Sequence, residues 1–277
     1  MIRKILSTPT GIFSTLILSA VFFVAIFGQL IAPFEANEID VSRMLLPPSA
    51  ENIFGTDELG RDVLSRTILS AQVSMQVSAI SVSFALLFGT AAGVAAGYFG
   101  GWLDNVLMRI VDVMFAFPVL LLALAIVAIL GPGIVTATFA IGVVYVPIFA
   151  RVARSAAVSV VQEPFVKAAK TIGASSFRNI IRHLLPNIAA PLIVQTSISL
   201  AFAILNEAAL SFLGLGAQPP TPTWGRMLFD AKGFLEQAWW MAVFPGMAVF
   251  LTVLAFNLLG DNLRDALDVT TRRNETK

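Results

Sequence analysis

Cysteine is absent from the 277 residues, which excludes disulfides and thiolate metal centres. Histidine occurs once, at His183, so a multi-histidine metal site is excluded as well. Charge is scarce: 13% of residues carry it, against about 25% in an ordinary soluble domain. What charge there is nearly cancels, to a formal net +1 with no basic tail, so nothing points to a nucleic-acid partner. Apolar residues fill the gap, at 57% of the chain with a mean hydropathy of +0.84. That balance belongs to a polytopic membrane protein.

About 20 apolar residues cross a bilayer core as a helix. Six stretches satisfy this, near 11–32, 75–98, 106–130, 134–154, 188–210 and 239–260. The first follows Arg3 and Lys4 but is too long for a signal h-region, and no A-x-A site follows it, so it is expected to be a retained span. "GPG" at 131–133 reads as a tight turn between the third and fourth. With the N-terminus inside, 13 of the 18 Lys and Arg residues fall on cytoplasmic segments, so the expected topology is N-in and C-in.

Polar and small residues in the spans form stripes. Gly89, Gly93 and Gly97 stand at i, i+4 and i+8, a pattern for close helix packing, either inside the chain or at a dimer seam. Ser74, Ser78 and Ser81 share a face of the second span, and Gln195, Ser199 and Asn206 nearly do so in the fifth. Such stripes either hydrogen-bond across helices or wet a translocation path. Glu207, near the outer end of the fifth span, is the one carboxylate deep in a predicted span; it is a candidate for transport or for a structural hydrogen-bonding role.

Two outer segments are long. In "GTDELGRDVLSRTILSAQ", Asp62 and Arg66 form an acid-first i, i+4 pair, and Leu64, Ile68 and Ala71 repeat on one side. This predicts an amphipathic helix lying on the outer surface. It divides the chain into an N-terminal unit, 1–74, and a transmembrane domain, 75–277. Residues 211–238 mix aromatics, glycines and prolines, and Trp224, Trp239 and Trp240 suit interfacial anchoring. Both segments form either an external mouth or a plug.

One polar stretch interrupts the apolar pattern, "EPFVKAAKTIGASSFRNIIRHLLPN" at 163–187. Pro164 suits a first helical turn, Gly173 the left-handed position past a helix end, and Ser175 or Ser176 an N-cap. Phe165, Ala168/Ala169 and Ile172 mark one apolar face before the turn, and Phe177, Ile180, Ile181, Leu184 and Leu185 another after it, with Arg178 and Arg182 opposite. A helix–turn–helix with apolar faces and a basic rim suits burial in a partner's groove. The paired alanines remove bulk where the contact is expected to be closest.

"KAAKTIGASSFRNIIRHLLPN" resembles the EAA loop of ATP-binding-cassette importer permeases, E-A-A-x3-G-x9-I-x-L-P. Ala168, Ala169, Gly173, Leu185 and Pro186 match; Lys167 stands where that pattern has Glu, and His183 where it has Ile. A glutamate-specific role therefore does not carry over to Lys167. "FGTDELGRDVLSRTILSAQVSM", "NEAALSFLGLGAQPPTPTWGRML" and "NLLGDNLRDALD" resemble the second, C-type permeases of the dipeptide, oligopeptide and nickel branch. The likeness spans nearly the whole chain, with the motifs in order.

The resemblance implies an all-α, six-span, MetI-like importer fold in the bacterial cytoplasmic membrane. It implies half of a heterodimeric pore, two cytoplasmic ATPase subunits docked on Lys167, Ala168, Ala169, Gly173, Leu185 and Pro186, and an extracytoplasmic solute-binding protein. The chain has no G-x-x-x-x-G-K-[ST] loop, so ATP is expected to be used by the partners, and no cofactor is expected on this chain. Short peptides are the first expected cargo; nickel or a nickel chelate, glutathione and opines are the alternatives. A secondary transporter would more often carry several intramembrane charges, and an intramembrane enzyme would need a cluster of titratable groups.

Overall fold

The computed structural model of the chain describes residues 6–267. Arg3, Lys4, Arg272, Arg273 and Lys277, which enter the charge count, lie outside the described residues, as does Asp268 of the last motif. Among the described residues the fold is helical, with one isolated bridge between Thr56 and Asp62.

Helix α1 (Pro9–Ile31) starts where the Thr8 hydroxyl accepts the Gly11 N–H. It packs on α2 (Val63–Phe99) and α10 (Trp240–Leu267). Helix α2 spans 37 residues, about 55 Å at 1.5 Å per residue, far more than a bilayer core needs. Asp62 caps it, accepting from the Ser65 N–H and hydroxyl.

This corrects the expected surface helix and the 74/75 division. Residues 63–74 are the outer end of the second span. No glycine or proline interrupts the backbone before Gly89, so the helix continues where composition turns polar. The Asp62–Arg66 pair does not form: Asp62 binds Asn52 and Ser65, while Arg66 reaches Asp57 at 3.5 Å and the Ala36 carbonyl at 2.8 Å.

The expected third span also changes. It is two helices, α3 (Gly101–Phe115) and α4 (Val119–Leu130), meeting at 90°. Pro118 lacks an N–H and disfavours helical geometry at Phe117, so the apolar run breaks there. Alone, α4 is about 18 Å long and does not cross a 30 Å core. Five helices are long and apolar enough to span, or six if the bent pair counts as one.

Helix α5 (Ile134–Val161) is the most buried of the spanning helices. It runs alongside α2 and is seated by the glycine stripe. A Cβ on Gly89 would lie 2.5 Å from the Val146 carbonyl, and one on Gly97 2.7 Å from the Ala157 methyl; at Gly93 the Ala150 carbonyl is nearer still. Of the two readings of Gly89, Gly93 and Gly97, the structure takes the intramolecular one.

Next come α6 (Pro164–Thr171), α7 (Ser176–Asn179), a π-helical turn at Ile180–Leu184 and α8 (Leu185–Phe212). Residues 176–212 form one continuous helical span. The short α9 (Trp224–Ala231) sits at the far end from α6, with the 33–62 segment. There Trp224 and Trp240 are buried, their indole N–H groups donating to the Thr67 and Thr56 carbonyls. These two are therefore core residues rather than interfacial anchors; Trp239 is exposed.

Candidate functional site

The polar hairpin folds as its sequence dictates. Pro164 opens α6, Gly173 takes φ +85°, and the Ser175 hydroxyl accepts the Arg178 N–H to start α7. Gly173 needs that left-handed geometry, and nothing lies within 4 Å of where its Cβ would be.

The hairpin is fastened to the end of α2. The buried Asn179 amide donates to the Tyr98 hydroxyl at 3.4 Å and to the Ala174 carbonyl at 3.3 Å. The Lys170 ammonium sits 4.5 Å from the Tyr98 ring centroid, a cation–π contact. Neither Tyr98 nor Asn179 stands out in the sequence, because their pairing spans 81 residues.

Two faces result. Val166, Ala169, Leu184 and Ile188 point into the chain; Ala169 is only 7% exposed. Phe165, Ile172, Phe177 and Ile181 point outward, Ile172 at 85% and Phe177 at 75% exposure. Lys167, Ala168, Gly173 and Pro186 are also exposed, and Leu185 is half-buried. The single face expected from Phe165, Ala168/Ala169 and Ile172 is thus split. Ala168 lies on the open side, whereas Ala169 packs inward and its carbonyl accepts the Ala174 N–H that closes the turn.

The polar stripes bond within the chain. Ser78 donates to the Leu200 carbonyl and Ser81 to the Thr138 carbonyl. Glu207 is 2% exposed and accepts from Ser211 at 2.8 Å and from Ser74 at 3.3 Å. Those donors and its burial make it an interhelical tie between α2 and α8. Ser199 is also buried, receiving the Gln195 amide at 3.1 Å. Asn206 is half-buried and donates to the Tyr145 hydroxyl at 2.8 Å. Of the four residues expected along a path, only Gln195 and Asn206 therefore approach the surface of this chain.

Sequence reasoning passed over a pair of ion contacts between α3 and α5. Arg154 grips Asp104 with two nitrogens, one of them at 2.6 Å, and Arg151 meets Asp112 at 2.9 Å while lying 4.0 Å from the Phe115 ring centroid. The partners of the two pairs are 39 and 50 positions apart, and the bend at Ala116–Pro118 with the turn at 131–133 brings them together.

Residues 89–273 match the family described as the binding-protein-dependent transport system inner membrane component. The chain is 47% identical over 266 residues to a dipeptide transport system permease protein, DppC, of Alkalihalophilus pseudofirmus, covering 96% of this chain and 88% of that protein. It is 48% identical over 246 residues to a glutathione transport system permease protein, GsiD, of Escherichia coli O157:H7, covering 88% of this chain and 81% of that protein. Among solved structures it resembles the inward-facing MetNI methionine ABC transporter. That match has a TM-score of 0.58 and 19% identity, over 74% of this chain and 97% of that one. At that identity the likeness speaks to the fold.

Proposed function

We propose that this chain, which belongs to the family of binding-protein-dependent transport inner-membrane components and is a permease subunit of an ATP-binding-cassette importer, forms one half of a heterodimeric pore for short peptides or peptide-like solutes. Relatives named for dipeptide and glutathione transport support this cargo class, and nickel is not needed to account for them.

We further propose that the 163–187 hairpin docks a cytoplasmic ATPase subunit. The observation that carries this is the row of exposed apolar side chains, Phe165, Ile172, Phe177 and Ile181, on a hairpin rigidly seated against α2. Apolar side chains presented on a fixed polar support suit a partner's groove. ATP binding and hydrolysis belong to that partner, whose closure moves the hairpin. Because 176–212 is one helix, such motion passes directly into the fifth span. A solute-binding protein delivers cargo to the opposite end, both termini lie in the cytoplasm, and no cofactor binds this chain.

The test uses Ile172→Asp and Ala168→Asp, both on the open face and outside the bilayer. Each places a charge in a closing interface, at about 1–3 kcal/mol if it is left unpaired. Membrane insertion should be normal, ATPase co-purification should fall, and uptake should drop about fivefold or more, since 1.4 kcal/mol is a factor of ten. Normal uptake with the ATPase bound in both variants would remove the hairpin from coupling.

A further inference from the structure

Between α3, α5 and α8 lies an open groove of about 510 Å³, lined by Phe115, Ile148, Arg151, Ser155, Ser159 and Pro191. Arg151, Ser155 and Ser159 stand at i, i+4 and i+8 on α5 and are all exposed. The depth of the groove follows from the glycine stripe. Gly89, Gly93 and Gly97 set α5 residues 146–158 level with α2 residues 89–97. At that level α2 exposes only Ala91, with Leu87 and Phe88 on the same helix further toward the outer side. The α5 surface at the same level bears a guanidinium and two hydroxyls. Arg151 is one of the cations that the charge count places on the cytoplasmic side, so the stripe stands at the inner end of α5, within reach of water.

The two arginines at this level are held differently. Arg154 is engaged by both nitrogens on both oxygens of Asp104, which ties α3 to α5. Among the described residues Arg151 makes one hydrogen bond, to a single oxygen of Asp112, in a pair whose side chains are 54% and 59% exposed. A guanidinium has five N–H donors in a fork that suits a carboxylate. An exposed ion pair is weak and exchangeable. Phe115 supports the guanidinium from one face and leaves its edge open to the groove. Pro191 carries the lining onto α8, where Gln195 stands one turn further along.

We propose that this groove is a relay site for the cargo's carboxylate, with Arg151 as the cation and Ser155 and Ser159 as hydroxyl partners. This rests on the reading of the chain as an importer of peptide-like solutes. The carboxylate takes the place of Asp112 on Arg151, while the Asp104–Arg154 tie keeps α3 in position. The volume suits a di- or tripeptide passing through, since small-molecule sites typically occupy about 300–1,000 Å³.

The experiment uses the whole complex in proteoliposomes with its binding protein, with uptake of a labelled dipeptide as the readout. Arg151→Gln should lower uptake about tenfold, the scale of one lost charge-assisted hydrogen bond. ATPase co-purification and peptide affinity of the binding protein should be unchanged. Asp112→Asn removes the same ion pair but keeps the cation, and should retain uptake at or above the unsubstituted level. If Asp112→Asn loses as much as Arg151→Gln, the pair is a structural latch and the proposal fails. If Arg151→Gln transports normally, it fails as well. If the Arg151→Gln deficit appears only in vesicles containing anionic lipid, the residue serves headgroups and the proposal is overturned. Absence of any peptide uptake by the unsubstituted complex would instead sink the importer reading on which it rests.

Discussion

Single carboxylates in this chain are governed by what surrounds them. Glu207 accepts from two serine hydroxyls on two helices, and one of them, Ser74, is a distant partner that no local pattern reveals. Glu58, outside the spanning segments, is in the opposite situation. One oxygen receives Arg61 at 2.9 Å; the other is buried with no hydrogen-bond partner among the described residues. Burial, with Asp57 beside it, pushes its carboxyl above the ordinary glutamate range, against the pull of Arg61. A raised folded-state value means that the fold favours the protonated form. That contribution is complete below the ordinary value and is lost as pH rises through the raised one. Glu58→Gln keeps an acceptor for Arg61 and stays neutral at every pH. The purified protein should therefore melt at a higher temperature than the unsubstituted one at about pH 7.5 and at the same temperature near pH 4. Equal melting temperatures at both pH values would show that burial does not outweigh the pull of Arg61 on Glu58.

At the scale of elements, periodicity and breakers were legible where the cause is local. Pro164, Gly173 and Ser175 place the hairpin turn, and the Gly89–Gly93–Gly97 stripe marks a close contact, because each depends on its own backbone geometry or missing Cβ. What was not legible depends on neighbours. The polar start of α2 reads as a separate surface helix until the 33–62 segment and α9 cover Ser65, Arg66 and Ser70. Likewise, Val166 and Ala169 turn inward only because Tyr98 and Asn179 fix the roll of the hairpin. The glycine contact is open to a direct test. Gly93→Leu drives a side chain into the Ala150 carbonyl and Ala153 methyl, backbone and core atoms that have little room to shift. It should destabilise the chain by about 1–3 kcal/mol or prevent its accumulation. Ala91→Leu, on the exposed side of the same helix, should leave yield and melting temperature unchanged. Equal tolerance of both would mean that α2 and α5 do not meet through Gly93.

Across the whole molecule the two ends differ in kind. One end carries the hairpin, with Lys167, Lys170, Arg178 and Arg182. The other is a cap in which α9 and the 33–62 segment share charges: Arg61 with Asp57 at 2.6 Å, and Arg226 with Asp230 at 2.9 Å. Basic excess at the hairpin end and balanced pairs in the cap are what an N-in insertion produces. The absence of cysteine makes this orientation directly measurable, since any introduced thiol is the only one present. Ile39 in the cap segment and Ile172 in the hairpin are both exposed, so neither substitution disturbs packing. In intact spheroplasts a membrane-impermeant maleimide should label Ile39→Cys and leave Ile172→Cys unmodified. In inside-out vesicles prepared without the ATPase subunits, which would otherwise cover Ile172, the pattern should reverse. Labelling of Ile172→Cys from outside would invert the chain, place the hairpin beyond the reach of any cytoplasmic ATPase, and remove the physical basis for coupling through it.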